Sequence, residues 1–216
     1  MAHLEGVHEI ATRVLRPWTR VVVKDLKKLL GSRKPKLVVK ITLKGHDVGK
    51  FYEPYLCSTI WGNKYCSRLY KLSGYRMSYH PVHSALILRQ CSVMEELTEE
   101  ERAAVYFAVL RHHEYFIDDT RKVSKDAENT FREDLVLWDY VGEVLDCERL
   151  PYKLPPNPLS VRQEDEVLTA GIELLNLLTL ADNIEAKKSR ENKGSEFFEE
   201  VLDSYTLFSE LVSPIL

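Results

Sequence analysis

Residues 168–186 read LTAGIELLNLLTLADNIEA, and their pattern determines the fold class. Apolar residues recur here at intervals of three and four, which is the spacing of one face of an α-helix. Outward from this stretch, the same spacing predicts a helix over 162–190. The predicted face consists of Leu168, Ile172, Leu175, Thr179 and Asp182.

Asp182 stands out on that face because a carboxylate is costly to bury among apolar side chains. If buried, it would need a cation or a metal ion beside it. The alternative is that Asp182 lies at the edge of the face, where it is solvated or pairs with Lys187 or Lys188. Asp182 is therefore a candidate site residue.

Most of the remaining chain also shows helical spacing, so the predicted fold class is all-α, a helical bundle. Further predicted helices cover residues 4–15, 21–30, 81–97, 98–113, 126–146 and 195–212. Thr98 followed by Glu101 is typical of a capping box at the start of the fourth of these helices. Residues 37–51 are rich in β-branched side chains, so a strand is possible there, although a helix is favoured for the second half.

The length of 216 residues predicts a single domain spanning 1–216. An irregular insertion is predicted at about 52–79, with tyrosines able to stack nucleic-acid bases or to pack in the core. No long uncharged apolar run and no signal-peptide pattern is found, so we expect no membrane contact and a cytoplasmic location. The four cysteines form no CxxC pair and are expected to be reduced, with a Cys57–Cys66 bridge as the alternative.

Charge is distributed unevenly, although the net charge is only −3. From Arg13 to Lys44 the chain carries eleven basic residues and one acid, Asp25, so the segment has a net charge of +10. Such a surplus suits a face that binds phosphate groups. The alternative is a solvated helical face that is rich in lysine.

Histidine and aspartate occur where predicted apolar faces end. His46 and Asp47 follow one such face and offer a nitrogen and an oxygen ligand to a divalent metal ion. His112 continues another face, and the adjacent His113 is rotated from it by about 100°. A lone histidine on such a face is usually a core residue, but two together near other histidines and aspartates favour metal binding.

Taken in order, the candidates are His3 or His8, then His46, Asp47, His80, His112, His113 and Asp182. This order resembles the H…HD…H…HH…D pattern of the HD superfamily of metal phosphohydrolases, whose fold is a helical bundle. The HDVGK run at 46–50, the Ser-Ala pair that follows His80 and the paired histidines are similar to the HD nuclease subunit of CRISPR type I interference systems. The resemblance extends from residue 3 to about 190 and favours His3 over His8, while His83 competes with His80.

The resemblance implies two divalent metal ions bridged by Asp47. The first would be bound by His3 (or His8), His46, Asp47 and Asp182. The second would be bound by Asp47, His80, His112 and His113. Imidazole-rich ligation favours transition metals (Mn, Ni, Co or Fe) over Mg. Two such ions hydrolyse a phosphodiester with water as the nucleophile.

Further roles follow for residues near these ligands. Asp47 and Lys50 are the candidate catalytic residues, and Lys50 is expected to contact a substrate phosphate, with a solvated lysine as the alternative. Ser84 and Asn183 are candidates for hydrogen bonds that orient the ligands.

The implied function is a nuclease that cleaves single-stranded DNA, or RNA, in CRISPR antiviral interference. The sequence contains no GxxxxGK[ST] loop, which resembles a stand-alone HD subunit. The expected partners are single-stranded nucleic acid, a separate CRISPR-associated helicase subunit and the crRNA-guided surveillance complex. Two alternatives are an HD phosphohydrolase of nucleotides or cyclic nucleotides, and a binding subunit in which the metal is only structural.

Overall fold

The computed structural model describes residues 2–56, 79–113, 120–154 and 165–191. Within these ranges no strand is formed, and the only β-pairing is two isolated bridges, so the all-α prediction is confirmed. The α-helices are α1 (Ala2–Glu9), α2 (Arg16–Leu30), α3 (Pro35–Gly45), α4 (Glu53–Leu56), α5 (His80–Leu88), α6 (Glu99–Arg111), α7 (Thr120–Thr130), α8 (Trp138–Leu145) and α9 (Asp165–Glu191). A π-helical turn (Ile10–Val14) and 3₁₀ turns (Val48–Phe51, Ser92–Glu96, Glu133–Leu135) connect them.

Helix α9 packs against α6, α2 and α1 near the centre of the bundle. Its buried face differs from the predicted one, because Ile172 is 42% exposed and Leu175 is only partly buried. The buried residues of α9 are Val167, Ala170, Gly171, Leu174, Leu177, Leu178, Ala181, Ile184 and Glu185. Small residues on this face allow close packing: a Cβ on Gly171 would lie 2.7 Å from Phe107 of α6. Asp182 therefore borders the buried face, and its side chain is 17% exposed.

Residues Asp165–Lys188 of α9 are long and apolar enough, by length and composition, to cross a membrane. The stretch contains Glu173 and Asp182, so it is not the uncharged apolar run that the sequence was expected to lack. In the structure the stretch packs within the bundle, which is the arrangement of a core helix.

The first helices follow the predicted boundaries closely. Pro17 lies in the first turn of α2, and Gly31, with φ of +61°, caps its end. Helix α3 starts at Pro35, so the possibility of a strand over 37–51 is wrong. Because α3 contacts α1, α2 and α6, its β-branched residues are buried as a helix, and tertiary packing outweighs their local preference for strands.

Two predicted helices are interrupted. The one over 81–97 ends at Leu88, after which Cys91 pairs with Arg149 in an isolated bridge. The one over 126–146 is broken because the Tyr52 hydroxyl accepts a hydrogen bond from the Arg132 amide and donates one to the carbonyl of Thr130, each at 3.1 Å. Both breaks result from contacts with residues that are distant in sequence.

The capping box at the start of α6 is confirmed. The Glu101 amide donates to Thr98 Oγ1 at 3.2 Å, and the Thr98 amide donates to Glu101 Oε2 at 2.8 Å. Most of the predicted insertion at 52–79, the helix over 195–212 and the Cys57–Cys66 pair lie outside the described residues. Tyr52 and Tyr79, at the two ends of that insertion, are buried in the core.

Candidate metal centre

The ends of four helices and the interior of α9 bring seven of the predicted residues together. His46 and Asp47 directly follow α3, His112 and His113 directly follow α6, and His80 begins α5. His3 comes from the first turn of α1, and Asp182 from the C-terminal half of α9. These residues form two groups, and in each the potential ligand atoms all lie within 4.8 Å of one another.

The first group contains His3, His46 and Asp182. Nε2 of His3 lies 3.0 Å from Oδ1 of Asp182, and Nε2 of His46 lies 3.7 Å from the same oxygen. His46 is fully buried, whereas His3 is partly exposed. The group is thus open to solvent on the side of α1.

The second group contains Asp47, His80, His112 and His113. The ring of His80 lies 5.5 Å from that of His112 and 5.0 Å from that of His113, measured between centroids. His112 is buried, and His113 is half-buried. The rotation between the adjacent histidines therefore places both at one site, as their sequence positions predicted.

Asp47 lies between the two groups. Its Oδ2 is 3.5 Å from Nε2 of His3 and 3.4 Å from Nε2 of His46. Its Oδ1 is 3.1 Å from Nε2 of His80 and 3.5 Å from Nε2 of His112. Each carboxylate oxygen thus faces one group, which is the arrangement required of a ligand that bridges two ions.

The donor atoms fit a pair of divalent metal ions. Nδ1 of His46 lies 2.9 Å from the Leu43 carbonyl and Nδ1 of His112 lies 2.6 Å from the Val109 carbonyl, so both rings direct Nε2 into the site. These two Nε2 atoms are buried and have no hydrogen-bond partner among the described residues. A buried ring nitrogen that makes no hydrogen bond is unfavourable, and a bound metal ion would satisfy it.

The pKa values differ between the two groups. Asp182 and Asp47 raise the pKa of His3 to about 10. Burial lowers the pKa of His46, but Asp47 and Asp182 outweigh it and raise the pKa to about 9. In the second group, burial and then neighbouring histidines lower the pKa of His113 to about 3, and burial also lowers that of His112. His112 and His113 are therefore neutral imidazoles at neutral pH, which is the form that binds metal ions.

Gly49 and Lys50 of the HDVGK run, together with Ser84, contact the residues around Asp47 and His80. The Gly49 amide donates a hydrogen bond to Ser84 Oγ at 2.8 Å. A Cβ on Gly49 would lie 2.2 Å from the His80 carbonyl oxygen, so only glycine lets α5 approach so closely. Ser84 and Gly49 thereby hold His80 beside Asp47, and Lys50 forms an ion pair with Oδ2 of Asp47.

The structure separates the alternatives that the sequence left open. His8 lies outside both groups, near Lys44 and Lys40. His83 is also outside: it is buried, its Nε2 lies 3.3 Å from the Ala127 carbonyl, and its ring packs on Tyr52. Asn183 is exposed, which does not support a role in orienting ligands.

A comparison with protein families identifies the chain. The family model described as "Cas3, HD domain" matches residues 1–184, which include every residue of both groups. The chain belongs to the Cas3 HD domain family. It is accordingly a metal-dependent HD nuclease of CRISPR interference. Searches of curated proteins and of solved structures gave no match.

One residue of the Cas3 HD site was missed from the sequence. Glu185 is 7% exposed, and its Oε2 forms a short hydrogen bond with Nδ1 of His3. Glu185 lies three residues after Asp182, so a helical projection places both on neighbouring positions of α9. The three-residue spacing from Asp182 was the sequence feature that could have indicated Glu185.

Proposed function

We propose that this Cas3 HD domain cleaves single-stranded DNA with two divalent transition-metal ions that share Asp47. The proposal rests on the orientation of the Asp47 carboxylate. Its Oδ2 faces His3 and His46, and its Oδ1 faces His80 and His112. When bound, such ions neutralise a phosphodiester, activate a water and stabilise the leaving oxygen. Five histidines and two carboxylates form the donor set, which favours Mn, Ni, Co or Fe over Mg.

Lys50 supports this proposal from the rim of the site. Burial lowers its pKa, but Asp47 outweighs that effect and raises it, so Lys50 is charged at neutral pH. Its ion pair with Oδ2 of Asp47 orients the carboxylate. A half-buried ammonium group beside the proposed ions is suited to contact a substrate phosphate.

A basic stripe on α2 supports nucleic acid as the substrate. We use this name for Arg16, Arg20, Lys24, Lys27 and Lys28, which are all exposed. Their spacing of three and four places them along one face of the helix. In the described part of the chain none of the five forms an ion pair, whereas Arg13, Lys34 and Lys44 are paired with glutamates. The stripe is therefore free to bind phosphate groups.

The decisive experiment offers the purified chain several substrates with each metal ion in turn. The substrates are single-stranded DNA, single-stranded RNA, nucleotides and cyclic nucleotides, and the control is Asp47→Ala. We expect metal-dependent cleavage of single-stranded DNA that the control lacks. Hydrolysis of nucleotides without cleavage of DNA would overturn the proposal in favour of a small-molecule phosphohydrolase.

A further inference from the structure

The histidines of the site are oriented through the ring nitrogen that points away from it. His46 and His112 each place Nδ1 against a carbonyl oxygen three residues earlier in the preceding helix. Such a hydrogen bond fixes the ring and its tautomer and leaves Nε2 available for a metal ion. His3 lies in the first turn of α1, so no preceding turn of that helix offers it a carbonyl.

Glu185 takes the place of that carbonyl. Its Oε2 accepts a short hydrogen bond from Nδ1 of His3, while Nε2 of His3 faces Asp182 at 3.0 Å and Asp47 at 3.5 Å. Glu185 is almost fully buried although it is a carboxylate. The two nitrogens of one ring thus contact different carboxylates on α9, one directed into the site and one behind it.

Gly6 makes room for this contact. A Cβ on Gly6 would lie 2.8 Å from Cγ and 3.0 Å from Oε1 of Glu185. Glycine inside a helix is unfavourable relative to alanine, so its position in α1 needs a specific reason. Gly6 follows His3 by three residues, and the side chain of Glu185 passes over this point of α1 to reach the ring.

We propose that Glu185 is a positioning residue that orients His3 toward the first metal ion without binding the ion itself. This inference rests on the proposed two-metal function. The carboxylate accepts the Nδ1 proton, which selects the tautomer with a lone pair on Nε2 and restrains a ring that is otherwise exposed on one side. Removal of such a supporting group typically lowers metal affinity by about 10-fold to 100-fold.

The experiment titrates Mn²⁺ or Co²⁺ into the metal-free chain by calorimetry and follows the visible spectrum of Co²⁺. Glu185→Ala should weaken the first ion by about 10-fold or more and leave the second unchanged. Glu185→Gln should restore most of the affinity, because the amide oxygen can accept the same hydrogen bond. Glu173→Ala, a half-buried glutamate elsewhere on α9, is the matched control and should bind both ions normally.

Two further variants separate positioning from structure and from ligation. Gly6→Ala should displace Glu185 and weaken the same ion without lowering the melting temperature of the metal-free chain, since alanine favours a helix. In a His3→Ala background, Glu185→Ala should cause no additional loss. An equal loss in both backgrounds, or wild-type affinity in Glu185→Ala, would overturn the proposal. Complete loss of the ion with no rescue by glutamine would instead make Glu185 a ligand.

Metal titration uses no substrate, so the outcome is independent of the nuclease assay. If the wild-type chain binds two ions but does not cleave DNA, the proposed function fails and the role of Glu185 stands. If DNA is cleaved and Glu185→Ala binds both ions normally, only the role of Glu185 fails.

Discussion

Nε2 of His3 lies 3.0 Å from Oδ1 of Asp182, so the first described helix meets the last one at the metal centre. The same nitrogen lies 3.5 Å from Asp47, which follows α3. Three helices that are distant in sequence must therefore be assembled before the first group exists. Metal binding should consequently stabilise the folded chain, because the unfolded chain offers no equivalent site.

Asp47→Ala should reduce DNA cleavage by about 100-fold or more, since among the described residues Asp47 is the side chain that faces both groups. Circular dichroism should show a folded protein, because Asp47 lies in the turn after α3 and the helices are held together by the apolar core. Calorimetry should show weaker binding of both ions. Cleavage close to wild type in saturating metal would rule out a bridging role for Asp47.

The second group gives a separate prediction about stoichiometry. His112→Ala and His113→Ala should each lower the metal content from two ions to one, since each removes a donor from the group around Oδ1 of Asp47. The measurement is metal per chain by plasma mass spectrometry after dialysis. His8→Ala lies outside both groups and is the control. Two ions retained by either variant would remove that histidine from the ligand set.

Part of this site was predictable because apolar periodicity places its residues. Val39 and Leu43 define the face that leads to His46, and all three are buried as expected. His112 was placed in the same way by the face of α6. The spacing of apolar residues is enough to predict a site residue where that residue directly continues a buried helical face.

Other features could not be predicted because they depend on contacts between distant residues. Asp182 was selected from a face that is in fact partly exposed, and it reaches the site from the edge of the true buried face. Residue spacing left His3 and His8 as alternatives; the family resemblance favoured His3, and the packing of α1 on α3 and α9 places His3 at the site. The break near Arg132 depends on the Tyr52 hydroxyl, which no local pattern indicates.

The basic stripe predicts a salt-dependent step in substrate binding. Reversing Arg20, Lys24 and Lys28 to glutamate should weaken binding of single-stranded DNA and reduce the slope of log K against log salt by about 2, at roughly 0.7 for each lost phosphate contact. Hydrolysis of bis-nitrophenyl phosphate should not change. Lys125→Glu, at an exposed lysine of α7, is the control outside the stripe. A parallel loss of both activities would mean that α2 supports the fold and does not bind the substrate.

His83 predicts a loss of stability in acid. Burial lowers its pKa to about 4, while the unfolded chain takes up the proton near the ordinary value of 6.5. Because the pKa of His83 is lower in the folded chain, its contribution to the free energy of unfolding is fully present above pH 6.5. That contribution is lost as the pH falls to about 4. The total loss is about 3 kcal/mol, at roughly 1.4 kcal/mol for each unit of pKa.

His83→Phe tests this assignment, because phenylalanine keeps a ring among Tyr52 and Phe131 and cannot be protonated. The free energy of unfolding of the metal-free proteins should be compared between pH 7.5 and 4. Wild type should lose about 3 kcal/mol relative to the variant over that range. A constant difference between the two proteins would show that His83 does not titrate as expected, and a loss of bound metal in the variant would return it to the candidate ligands.

The last prediction concerns the partner that supplies single strands. The 216 residues contain no GxxxxGK[ST] loop, so this chain alone should degrade single-stranded DNA and leave an intact duplex uncut. Addition of a CRISPR-associated helicase with ATP should permit cleavage of the duplex.

Glu95, Glu99 and Glu100 are exposed before and within the first turn of α6 and could bind a basic surface of that partner. Glu101, by contrast, is buried in the capping box. Reversal of Glu99 and Glu100 to lysine should then reduce helicase-dependent cleavage without affecting single strands, and Glu143→Lys on α8 is the matched control. Rapid degradation of a duplex by this chain alone would show that no unwinding partner is needed.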